Sequence, residues 1–122
     1  MQVTNGDIWQ ARAPLQELLA ERWPVKTAYW LARLATQFDK HFPVIEQVRI
    51  GLIRQYGEEL EGGNRIEVSP NSPKHAEFKK DLGELFDVEV ELWGEKIVLP
   101  DVEGIKLAPA VLMALEPFVE VV

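Results

Sequence analysis

The chain has 122 residues, 47% of them hydrophobic, which is enough for one core, too little for two, and too apolar for wholesale disorder. It has no cysteine, which removes disulfides, thiolate nucleophiles and most structural zinc sites, and no apolar run nears the roughly twenty residues that cross a bilayer. The net charge of −7 is uneven: residues 1–56 hold seven Lys/Arg against five Asp/Glu, and residues 57–122 six against fifteen, an acidic balance that argues against a general nucleic-acid binder.

In chain order, Asp7, Trp9 and Gln10 stand where a signal peptide needs an apolar stretch, so the chain reads as not secreted. Thr4 or Asn5 caps a first helix. Pro14 suits the first turn of a second short helix, Leu15 to Arg22, with Leu15, Leu18 and Leu19 on its apolar face. Pro24 opens a long helical pattern reaching about Glu61. Ala28, Leu31, Ala35, Phe38, Phe42, Ile45, Leu52 and Tyr56 fall on one seam, broken at Arg49 and widened by Leu34, Val48 and Ile53. Uninterrupted, it would span about 55 Å. Pro43 lies inside it and predicts a kink or break near His41–Pro43, because proline lacks the amide that Asp39 needs. Such a seam suits a bundle core, and any part the short helices leave bare suits a partner.

Gly62 and Gly63 are the expected end of that helix. Asn64 to Ser69 reads as a short strand. Ser72 is placed to cap a helix with Pro73 in its first turn, running to Phe86, with Phe78, Leu82, Leu85 and Phe86 inward. Val88 to Leu92 alternates strictly, as a strand with one buried face does. Trp93-Gly94-Glu95 forms a turn, and Lys96 to Leu99 a partner strand or extended segment. Pro109 starts a last helix carrying Val111, Leu112 and Leu115, ended or bent by Pro117. The fold class is α+β but helix-dominated: a single domain over residues 1–122 with a long kinked central helix, shorter helices and a small antiparallel strand element.

Chemical signatures are missing. His41 and His75 sit in no ligand spacing, and His75-Ala76-Glu77 lacks the cysteine half of a zinc deaminase signature. Glu58-Glu59-Leu60-Glu61-Gly62-Gly63 lacks the lysine and hydroxyl of a phosphate loop, and its carboxylates repel phosphate. Ser69 and Ser72 lie beside prolines, outside any nucleophile elbow. No catalytic, metal or cofactor residue is assigned, and an enzyme is not expected. Lys26, Arg33, Lys40 and Arg54 recur at multiples of seven, a solvated or partner-facing stripe interrupted by Asp39 and Glu46. Four tryptophans, Trp9, Trp23, Trp30 and Trp93, serve core or interface, and Trp23 and Trp30 lie seven apart. The candidate interface is therefore Trp23, Trp30, Lys26, Arg33 and Lys40.

Three blocks resemble a group of short tailed-phage and prophage proteins. They are Pro24-Val25-Lys26-Thr27-Ala28 feeding a helix that ends Leu52-Ile53-Arg54-Gln55-Tyr56-Gly57-Glu58, then Asp81 to Val90, then Gly104 to Glu116. From first to last they span about three quarters of the chain; agreement is weakest around Glu61 to Ser72. That group supplies no active site. The resemblance implies a phage setting; with the long helical seam, the leading expectation is a non-enzymatic phage accessory or assembly protein in the cytoplasm of the bacterial host, or in the virion, acting through a protein partner or self-association. The alternative is an acidic effector whose carboxylates block a host nucleic-acid-binding or defence protein. No small-molecule substrate and no membrane role are expected.

Overall fold

A capping box starts the first helix. In the computed structural model, which describes residues 1–59, 66–100, 104–105 and 107–121, strand β1 (Gln2–Thr4) leads into helix α1 (Asn5–Leu19). The Asp7 amide donates to Thr4 Oγ1 at 3.1 Å, and the Thr4 amide donates to Asp7 Oδ2 at 3.0 Å, so two otherwise orphaned donors are satisfied. Ile8, Ala11, Leu15 and Leu18 then line one buried face of α1, spaced three and four apart as a helical stripe requires.

The second short helix expected at Pro14 is absent, since α1 runs through that proline to Leu19. Likewise α2 (Val25–Tyr56), with Pro24 as its N-cap, continues through Pro43, so of the kink or break expected there a break does not occur. The two prolines strip amide partners from Gln10 and Asp39, and both those residues are exposed. Water can take the freed carbonyls, which lowers the cost of an internal proline.

At 32 residues, α2 spans about 48 Å. Its inward face is Leu31, Leu34, Phe38 and Ile45, all buried; Phe42 and Leu52 are half-buried, while Ala28 and Val48 are exposed. The predicted seam therefore holds at its centre and fails at its first turn and at Val48. Arg49 breaks the apolar pattern yet fits, because its guanidinium lies 5.1 Å from the Trp9 ring centroid and 3.9 Å from Glu46. The helix ends at Gly57, whose φ of −82° is ordinary extended backbone. Gly62 and Gly63 lie outside the described residues. Strands β2 (Glu58–Glu59) and β3 (Ile66–Glu67) pair antiparallel.

Helix α3 (His75–Asp87) begins three residues after Ser72, with Lys74 as N-cap. Ser72 instead builds the preceding turn, accepting the Lys74 amide on Oγ at 3.2 Å and the His75 amide on its carbonyl at 3.1 Å. The far end of α3 locks onto α1. Asn5 Nδ2 donates to the Leu85 carbonyl at 3.0 Å, and the Asn5 amide donates to that of Val88 at 2.9 Å. A Cβ on Gly6 would stand 3.2 Å from both the Cβ and the carbonyl oxygen of Phe86, so glycine permits this approach.

Strand β4 (Glu89–Glu91) pairs antiparallel with β1, Val3 opposite Val90. The partner expected for it, β5 (Ile97–Leu99), pairs instead in parallel with β6 (Val119–Val121), a strand that follows helix α4 (Pro109–Ala114). Parallel strands need a crossover connection, and α4 lies within it. Ile97, Leu99, Phe118 and Val119 join the buried residues of α1 and α2 in one core, where the Phe38 and Phe118 rings meet edge to face at 4.9 Å. The result is the helix-dominated α+β fold expected, with two antiparallel strand pairs and one parallel pair among the described residues.

Candidate functional site

Helix α2 carries Tyr29, Trp30, Arg33 and Gln37 along one exposed flank, and the turn after β4 brings Trp93 against them. Gln37 grips that turn with both ends of its amide: Oε1 accepts the Trp93 amide at 2.7 Å, and Nε2 donates to the Trp93 carbonyl at 3.1 Å. From the other side the Met1 ammonium donates to the carbonyls of Leu92 at 2.6 Å and Gly94 at 2.8 Å. Gly94 takes a φ of +96°, a conformation that side chains with a Cβ rarely adopt. The turn is thus fixed through its backbone, and Trp93 stays 58% exposed.

The rings form one continuous surface. Trp30 stacks on Trp93 at 5.4 Å and 25°, and Tyr29 meets Trp30 edge to face at 5.2 Å. The Arg33 guanidinium sits 4.5 Å from the Trp93 centroid and donates to Tyr29 Oη at 3.1 Å. Tyr29 is 52% exposed and Trp30 40%. Beside the rings lies an open groove of about 400 Å³ between the first turns of α2 (Lys26, Thr27, Trp30) and the segment Gly94 to Val98. Aromatic rings and a planar cation, pre-ordered yet solvent-exposed, match the residue types that dominate binding energy at protein interfaces.

Of the interface residues expected from sequence, Lys26, Trp30 and Arg33 come together here. Lys40 is exposed two turns further along α2. Trp23 stands apart: half-buried against the core, its indole N–H donates to the Leu18 carbonyl at 2.8 Å and braces the α1–α2 turn. Sequence reasoning missed Tyr29, whose four-residue spacing to Arg33 was a usable signal, and Gln37, which offered none.

Elsewhere, Tyr56 Oη donates to Asp81 Oδ2 at 2.5 Å. That bond, with partial desolvation and the carboxylates of Asp81, Glu77 and Glu84, pushes the phenol up to about 12. Both histidines are half-buried on helices, and no metal-holding group of acidic or histidine side chains occurs among the described residues. No described helix is long and apolar enough to cross a membrane. No family model, curated protein or solved structure matches the chain, so the candidate site rests on its own geometry.

Proposed function

We propose that this chain is a non-enzymatic, protein-binding accessory or assembly protein of a tailed phage or prophage, working in the cytoplasm of the bacterial host. The phage setting rests on the sequence resemblance. The binding reading rests on the Tyr29–Trp30–Arg33–Trp93 surface, whose rings are held in place without being buried. Ordering side chains beforehand lowers the entropy lost on association, and rings already half in solvent do little for the core. A partner that covers them gains apolar burial at roughly 25 cal/mol per Å².

One observation favours the alternative reading, an acidic effector. Glu77, Asp81 and Glu84 gather on α3, where Asp81 accepts the Tyr56 hydroxyl and all three charges add to raising its phenol. Carboxylate mimicry of that kind weakens steeply with salt, whereas an aromatic interface does so far less.

A photo-crosslinking amino acid placed at Trp93, and in a control at exposed Lys79, tests the reading in the source cells. A discrete protein adduct from position 93 that is missing from position 79 supports it, and its persistence at high salt favours the aromatic surface over the carboxylates. Equal labelling from both positions, or none from 93, removes the support.

A further inference from the structure

The groove beside Trp30 has a strand edge along one side. Ile97 donates its amide to the Phe118 carbonyl at 2.9 Å, and Val98 stands opposite Glu120 in the parallel register of β5 and β6. Alternation along a strand then turns the N–H and C=O of Val98 away from β6. Among the described residues, no strand pairs with that edge. Ile97 and Leu99 are buried, while the Val98 side chain is 50% exposed.

Trp30 lines the same groove as this strand, and Lys26 and Lys96 in the lining outnumber Glu95. The described ion pairs join Arg49 to Glu46 and the N-terminus to Glu91, and so use neither lysine. Arg33 adds a further cation beside the rings. Among the described residues, a backbone edge without a strand partner, an apolar wall and cations outside the ion pairs together define a ligand.

We propose that the groove takes an extended segment of a partner protein, with acidic and apolar residues alternating, which adds as a strand to the free edge of β5. This deepens the protein-binding reading and rests on it. An extended segment is favoured over a helix because a helix already satisfies its own backbone and leaves the Val98 groups unmatched. Alternation sends one set of side chains toward Trp30 and Val98 and the other toward the lysines. Phosphodiester chains fit less well, given Glu95 in the lining and the net charge of −7. The edge is three residues long and Pro100 follows it; proline has no amide to offer, so pairing stays short and does not propagate.

The test is selection of a random displayed peptide library on the immobilised full chain, followed by affinity measurement on the enriched sequences. Enrichment of alternating acidic and apolar peptides is expected. Their affinity should fall roughly tenfold or more when alternate backbone amides of the peptide are N-methylated, which removes strand hydrogen bonds and leaves the protein untouched. The pair Lys26→Glu and Lys96→Glu should weaken them comparably. Enrichment of basic or helix-patterned peptides, or none, overturns the proposal. Peptides that need Trp93 but ignore N-methylation overturn strand addition while leaving binding at the aromatic surface standing. Peptides indifferent to Trp93→Ala and to charge reversal count against both.

Discussion

Around Trp9, aromatic rings and arginines close a junction between three helices; around Trp93, the same residue types stand in solvent. Trp9 lies flat on Phe42 at 4.5 Å and 2°, with Phe86 at 5.8 Å, Arg12 4.0 Å from the Phe42 centroid and Arg49 over Trp9. Those residues come from α1, α2 and α3, and Trp9 packs against the core. Trp93 has a comparable set of neighbours in Trp30 and Arg33, yet it rides on a turn and no described element covers it. Ring stacking and cation contact therefore do not distinguish a structural cluster from a binding one. The distinguishing feature is whether the backbone beneath the rings belongs to the packed junction or is anchored separately, as Gln37 anchors Trp93.

Substitutions should separate the two. Ile45, buried in the core three residues along α2 from Phe42, sets the upper scale: Ile45→Ala should destabilise by about 4 kcal/mol, read from urea midpoints at constant m. Trp9→Ala should cost about 3 kcal/mol, less than full burial would give because the ring is only partly enclosed. Trp93→Ala should change stability by less than about 1 kcal/mol, as exposed positions do. A Trp93→Ala loss equal to that of Trp9→Ala would erase the contrast and make both clusters structural.

The smallest expected effect concerns the phenol on the far end of α2. With its folded pKa raised to about 12 against roughly 10 in the unfolded chain, Tyr56 keeps its full contribution below about pH 10. That contribution is lost as pH rises from about 10 to about 12, because the unfolded state releases the proton first. Over this window the urea midpoint should fall further for the wild type than for Tyr56→Phe. Parallel curves would mean that the Asp81 bond adds nothing to folding.

Periodicity carried much of this architecture. The long helix, its buried centre at Phe38 and Ile45, the alternating strand near Val90 and the helix opened by Pro109 follow from spacing and caps. Pro24 marks the start of α2 as expected, but Pro14 does not start a new helix and Pro43 does not end one. Each deletes a helical hydrogen bond, and exposure of Gln10 and Asp39 makes that deletion tolerable, which is a tertiary fact. Strand partners were illegible for a similar reason, since Gln2 to Thr4 and Val119 to Val121 are too short to declare themselves without the strands they meet. The site was half visible: Lys26, Trp30 and Arg33 share a helical flank, but nothing in the spacing said that a turn sixty residues later would set Trp93 beside them.

Hydroxyl-radical footprinting of the four tryptophans, in the purified chain and again inside the source cells, tests most directly whether the open cluster exists to be covered. Fast oxidation of Trp30 and Trp93 and slow oxidation of Trp9 are expected in the purified chain, with Trp30 and Trp93 becoming protected in cells. Oxidation of Trp93 at the same rate in both settings would contradict this expectation.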